Sequence, residues 1–291
     1  MDVSVGIITH DDTTLISLVK SVLNQKTPGF HVKEVFIVSS SILPENKDEL
    51  EQLAKKESKL KITLEPERTG KARSVNIFLK NVSADVCVLI SGDVLIEPNS
   101  LAELIKPLAD EGVGMVGART IPLNDESTFI GFAVHLIWRI HHKLSTLKPK
   151  LGELVAFRNV VDEIYPYTAV DEAWIEALII EKGFKTAYAP DSIVHNMGPQ
   201  KISEYINQRK RIHVGHVNLK REQKYVVSSM MYSKVFNAFM DCLPSRPKEI
   251  LWTILVILLE LYVRVSADID VLIFKKKSSC WDILSSAKFN K

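Results

Sequence analysis

Through the first 126 residues, short runs of consecutive apolar residues alternate with longer stretches in which apolar positions recur every three to four residues. The runs VSVGIIT, EVFIVSS, LKITL, DVCVLIS and GVGMVGA read as buried strands. The helical period between them predicts helices over about 13–25, 45–57, 70–82 and 98–110. Strands alternating with helices require crossover connections, so the expected class is α/β: a mixed, mostly parallel sheet flanked by helices. Such sheets bind ligands beyond the carboxyl ends of their strands. That directs attention to Thr9 to Asp12, Ser39 to Ser41 and Ser91 to Asp93.

After residue 126 the rhythm changes. FIGFAVHLIWRIHHKL (129–144) predicts an apolar helix, GELVAFRN follows, and DEAWIEALIIEKG predicts a second helix. A strand pair, KTAYA and SIVHN, precedes a helix opening near Pro199. No strand pattern returns after 226, which suggests a domain over 1–225 and a helical C-terminal extension over 226–291. In EILWTILVILLELYVRV (249–265) the polar residues Glu249, Thr253, Glu260 and Arg264 share one stripe. Its apolar stretch of about fourteen residues is shorter than the roughly twenty a spanning helix needs. A monotopic helix, a core helix and a contact with a second copy, making a homo-oligomer, all fit. Lys275, Lys276 and Lys277, with Trp252 and Trp281, would suit an anionic membrane surface.

Composition narrows the function classes. With 46% hydrophobic and 25% charged residues, the chain is no disordered or low-complexity protein. Cys87, Cys242 and Cys280 provide neither a disulfide framework nor a four-cysteine zinc site, in keeping with a reducing compartment. The N-terminus MDVSVGIITHDD has no signal-like apolar run, so a cytoplasmic location is expected. The net charge of +2 conceals a division: 14 basic against 19 acidic side chains in residues 1–126, and 23 against 16 in residues 127–291. Residues 201–224 hold seven basic and two acidic side chains. Nucleic acid is not the expected partner, because aromatic residues are not interleaved there as a base-stacking surface requires.

The strand-end segment ISGDVLIEP is the most informative. A carboxylate there, Asp93, beside Gly92, suits a divalent cation bridging to diphosphate oxygens, although it could equally cap a turn. Lys71 and Arg73, at the start of a helix after Gly70, could face a diphosphate together with free backbone N–H groups, or could be solvated surface cations.

These segments together resemble family 2 glycosyltransferases of the GT-A (nucleotide-diphospho-sugar transferase) fold. GIITHDDTTLISLVKSVLNQ resembles the family's first strand and helix, and TGKARSVNIFLKNVSADVCVLISGDV its donor-binding segment and Asp-x-Asp strand. GELVAFRN resembles the acceptor-side segment, DEAWIEALIIEKGFKTAYAPDSIVHNMGP the catalytic acid motif, and QRKRI the Gln-x-x-Arg-Trp element. The resemblance covers roughly residues 3–215. It implies a nucleotide-sugar donor, a Mn²⁺ or Mg²⁺ cofactor and a lipid or glycan acceptor. By the same resemblance Asp93 and His195 would hold the metal, Glu172 or Asp171 would act as base, and Thr9, Ser39, Ser40, Lys71, Arg73, Ser91, Gly92, Gln208 and Arg211 would serve the nucleotide and its diphosphate. The sequence departs from the family in carrying Ser39-Ser40-Ser41 where an Asp usually holds the base, Ser91 in place of the first Asp of Asp-x-Asp, and Ile212 in place of the Trp. The chain lacks the several spanning helices of a polymer-secreting synthase, so single-sugar transfer at the inner face of the cell membrane is expected. A nucleotidyltransferase and a non-catalytic sugar-nucleotide or membrane-surface binding protein are the competing readings.

Overall fold

In the computed structural model, which describes residues 1–272, the elements follow in chain order. They are β1 (Asp2–Thr9), α1 (Leu15–Leu23), β2 (His31–Ser39), α2 (Pro44–Lys56), β3 (Leu60–Leu64), α3 (Lys71–Asn81), β4 (Val86–Ser91), β5 (Val94–Ile96) and α4 (Ser100–Ile105). Then come β6 (Val113–Pro122), α5 (Phe129–Leu147), β7 (Leu154–Arg158), α6 (Asp171–Glu181), β8 (Lys185–Asn196), α7 (Ile202–Gln223), α8 (Tyr232–Met240) and α9 (Pro247–Leu272). Lys275 to Lys277, Cys280 and Trp281 lie outside the described residues.

The strands form one sheet in the order β3-β2-β1-β4-β7-β6-β8-β5. β1 pairs in parallel with β2 and β4, β2 with β3, and β6 with β8. β7 runs antiparallel between β4 and β6, and β5 antiparallel along β8. Because β1 and β4 are covered on both faces, their residues are buried without alternation, as their unbroken apolar runs require. One face buries Val5, Ile7, Val88 and Ile90 against Leu15, Leu18 and Val19 of α1. The other buries Ile8, Leu89 and Phe157 against Phe78 of α3 and Trp174 and Ile175 of α6.

Three departures from the sequence pattern have local causes. KTAYA and SIVHN form one twelve-residue strand, β8, rather than a pair, because the register against β6 skips at Ala118/Arg119, where Pro190 to Ser192 bulge out. The helix expected over 98–110 is α4 followed by a 3₁₀ turn, Lys106–Ala109, in which Pro107 has no amide hydrogen to continue the α-helical pattern. The boundary near 225 falls just past α7, but α8 and α9 fold back onto the domain: α8 packs on α5, and α9 on α7 and α5.

The α9 packing has an unusual polarity. The stripe carrying Thr253, Val256, Glu260 and Val263 faces inward, whereas Leu251, Ile254, Leu258, Leu261, Tyr262 and Val265 are exposed. Arg209 of α7 grips Glu260 with two hydrogen bonds of 2.8 and 2.9 Å, and the Tyr205 hydroxyl donates a third of 2.8 Å. Farther along, Lys210 pairs with Asp270 at 3.0 Å and His213 with Asp268 at 2.9 Å. The continuous helix also corrects the length expectation, since Pro247–Val271 is long and apolar enough to cross a membrane.

Candidate active site

The strands β1, β2 and β4 end at one rim, and the loops after them wall a cavity of ≈ 420 Å³ closed by α5, α6 and α7. The rim is drawn tight at Gly92. A Cβ there would lie 2.5 Å from the Thr9 side chain and 2.7 Å from Asp12 Oδ2, so only glycine lets the two strand ends meet. Thr9 Oγ1 donates to Asp12 Oδ2 at 2.8 Å, Thr14 Oγ1 donates to the Gly92 carbonyl at 2.8 Å, and the Gly92 amide donates to Ile8 O at 2.7 Å.

Of the residues singled out from sequence, Thr9, Ser40, Lys71, Ser91, Asp93, Asp171, Glu172, Gln208 and Arg211 line this cavity. Lys71, the first residue of α3, reaches across to the first turn of α6. Its Nζ donates to Glu172 Oε1 at 2.7 Å and lies 3.1 Å from Asp171 Oδ2. Burial alone would lower the lysine's pKa, but the two carboxylates drive it far up, so it stays an ammonium. Burial works to raise Glu172 as well, and Lys71 outweighs it, holding that carboxyl below its usual range. Asp171 lies deeper; burial, followed by the charge of Glu172, pushes it up to about 6. The side chain of Glu172 is 16% exposed and that of Asp171 4%. Lys71, expected to serve a diphosphate, is thus engaged by the acid pair.

Four expected residues are not brought to the cavity. Ser39 is fully buried and donates to the carbonyls of Thr9 and Ser41, bracing the loop instead of meeting a ligand. Arg73 points away, donating to the Tyr167 hydroxyl at 2.9 Å. Gly92 serves the approach of the two strands. His195 stands opposite Leu95 in the β5–β8 ladder, with Nε2 3.1 Å from Glu97 Oε1. Because neighbours on a strand point to opposite faces, Asn196 lines the cavity and His195, expected as a metal ligand, does not.

The cavity holds residues that sequence reasoning passed over. His10 lines it and bonds Ser40 Oγ through Nδ1 at 2.9 Å. Glu153, in the segment GELVAFRN, has a left-handed backbone, φ +47°, and lines the cavity close enough to Asp93 to feel its charge. Burial, followed by the charge of Asp93, pushes Glu153 up to about 7, and Asn196 Nδ2 donates to it at 3.2 Å. Among the described residues no group of three or more His, Cys, Asp or Glu side chains could hold a metal. Asp93 and Glu153 nevertheless fit a divalent cation: two hard oxygen donors that repel one another, open to a cavity in which diphosphate oxygens could fill the remaining positions. Arg211 adds positive charge to this side. Its Nε is buried without a hydrogen-bond partner, and burial lowers its pKa while Asp171, Glu153 and Asp93 oppose the shift.

A second set of polar groups lines the same cavity from α5, α6, α7 and the loop before β7: His141, Lys150, Glu176, Arg209 and His216. Burial, with the Lys150 charge next, keeps both imidazoles well below their usual pKa. Burial lowers Lys150 to about 8 and raises Glu176 to about 7.

Residues 4–178 match the sequence profile of glycosyl transferase family 2. An N-acetylglucosaminyltransferase of Rhizobium meliloti (strain 1021) is 20% identical over 72% of this chain and 54% of its own length, so the chain spans about half of that relative. Among solved structures, the mannosyltransferase PcManGT from Pyrobaculum calidifontis, in complex with GDP-Man and Mn²⁺, is similar with a TM-score of 0.63 at 17% identity, over 94% of this chain and 88% of that one. TarS of S. aureus is similar with a TM-score of 0.51 at 16% identity, over 93% and 54%. At these identities the likeness is one of fold, the GT-A arrangement.

Proposed function

The chain belongs to glycosyl transferase family 2, and on that premise we propose that it moves a single sugar, with inversion, from a nucleotide-diphosphate donor to a hydroxyl on a lipid or glycan. The observation that carries this reading is the convergence of Asp93, Glu153, Lys71, Arg211 and the Asp171–Glu172 pair in one cavity at the strand ends.

Each group has a role that its surroundings support. Glu172 is the base: it is the more open of the two acids, and Lys71 keeps it ionised and ready to accept the acceptor's proton. As that proton leaves, the acceptor oxygen bonds to the anomeric carbon on the face opposite the departing diphosphate, and the carbon–oxygen bond to the diphosphate breaks. Lys71 fixes the angle of the acid pair, Asp171 backs Glu172 from within, and Arg211 meets the negative charge of the leaving group. Asp93 and Glu153 would hold Mn²⁺ or Mg²⁺, which would supply charge neutralisation at the diphosphate. Thr9, His10 and Ser40 line the part of the cavity proposed for the nucleotide base.

The acceptor reading draws on α9. A helix whose polar stripe is turned inward and whose aliphatic side faces outward suits an apolar surrounding on that side. Since its other side is bound to α5 and α7, the helix would lie in the plane of a membrane surface, at the cytoplasmic face, rather than cross it.

Glu172→Gln tests the assignment. Transfer from a nucleotide sugar in the presence of Mn²⁺ should fall by about 10²-fold or more, while the affinity for nucleoside diphosphate and Mn²⁺, measured by calorimetry, stays unchanged. Transfer that survives Glu172→Gln but is lost in Asp171→Asn would move the base to Asp171.

A further inference from the structure

The transfer chemistry leaves the second set of cavity residues unused, and these are costly to keep. Lys150 has no carboxylate within ion-pair distance among the described residues, although it faces the cavity. His141 is 6% exposed, and its Nε2 has no hydrogen-bond partner. His216 of α7 lines the same cavity, close enough to Lys150 to feel its charge. Arg209 is committed to Glu260, and Glu176, whose Oε1 also lacks a partner, is the acid that acts most on Lys150, ahead of Glu153 and Glu172. A buried donor without an acceptor, as His141 Nε2 is, costs stability unless something supplies the acceptor. A single ligand with several oxyanion atoms would satisfy an ammonium and two imidazole N–H groups together, and a Glu176 that keeps its proton could donate to it as well. The surrounding walls, Val134, Ile137 and Trp138 of α5 with Met197, are apolar, so the anion would be the head of a larger and less polar molecule.

We propose that Lys150, His141 and His216, which line the same cavity as Asp93 and Glu153, form a separate receptor for a phosphate group carried by the acceptor. This rests on the transfer reading above and narrows its acceptor to a phosphate-bearing molecule that offers a hydroxyl to Glu172. The phosphate could belong to a lipid headgroup or to a soluble phosphorylated compound.

The test is calorimetric titration of the full chain with decyl phosphate, glycerol 3-phosphate and inorganic phosphate, using decanol and glycerol as phosphate-free controls. Titrations are run with and without saturating nucleoside diphosphate and Mn²⁺, so that the donor's diphosphate position is filled in one series. The phosphate compounds should bind in both series, and Lys150→Gln should weaken them about tenfold or more while Lys150→Arg retains most of the affinity. Decyl phosphate binding far more tightly than glycerol 3-phosphate would assign the group to a lipid; equal binding would assign it to a soluble acceptor. Should Lys150→Gln fail to fold, the imidazole NMR signals of His141 and His216 in the unmodified chain must still shift on phosphate addition. The proposal is overturned if phosphate compounds bind no better than the controls, if Lys150→Gln binds them unchanged, or if the imidazole signals stay still. Phosphate binding without any nucleoside-diphosphate binding would instead sink the transfer reading and leave this receptor standing.

Discussion

Glu176 illustrates how one side chain can set the pH response of the fold. It is 2% exposed, and burial pushes its carboxyl up to about 7 from an ordinary value of 4.5. Between those two values the folded chain keeps a proton that the unfolded chain gives up, so stability falls as pH rises through this window. Above 7 the penalty is complete, on the order of 3 kcal/mol. Glu176→Gln should therefore melt close to the unmodified chain at pH 5 and progressively above it by pH 8; a difference that does not vary with pH would show that Glu176 ionises normally. Glu34 is the opposite case. Burial works to raise it, but hydrogen bonds from Lys61, Ser4 and Ser83 hold it at about 2, so its contribution is present above about pH 4.5 and is lost as pH falls toward 2. At this scale the sequence was readable where placement follows from standing at a strand end, as at Thr9, Ser91 and Asp93, which all line the cavity. It was not readable where backbone direction decides. His195 and Asn196 differ in strand parity, and Glu153, which lines the cavity, has a positive φ that no side-chain pattern announces.

The elements themselves were largely legible, because β1 to β4 and β6 come from uninterrupted apolar runs and α1 to α4 from clear helical periods, whereas the three-residue β5 was not anticipated. β8 was read as two strands because Pro190 and Asp191 resemble a turn, whereas pairing with β6 carries the chain through as a bulge. For α9 the sequence revealed the polar stripe, but not that the stripe faces inward. Its meaning is energetic. Arg209 and Glu260 are both largely buried and doubly bonded, so removing either leaves a charge without its partner. Arg209→Met and Glu260→Leu should each cost about 3 kcal/mol in urea unfolding, and the double substitution should cost less than the two singles combined. Additive losses would mean that the pair is not coupled.

For the molecule as a whole, the outer face of α9 is a large apolar surface, and α8, packed like α9 on α5, also exposes Tyr232, Phe236 and Met240. If that surface meets a bilayer, Leu251→Glu with Leu258→Glu should abolish flotation with anionic lipid vesicles while leaving the melting temperature unchanged, because both side chains already face outward. Flotation that persists would assign the face to a protein contact instead. The near-neutral total charge, composed of an acidic first part and a basic second part, becomes a cavity whose walls come from both. β5 adds a matter of timing. It leaves β4 after only two residues, yet its partner along the sheet is β8, with Val94 opposite Asn196. A chain emerging at roughly 5–20 residues per second must carry Asp93 and its short strand unpaired for on the order of 5–20 s before that partner exists. The rim of the site is therefore among the last parts of the sheet to close, and until then this edge is the one that nascent-chain binding factors would find open.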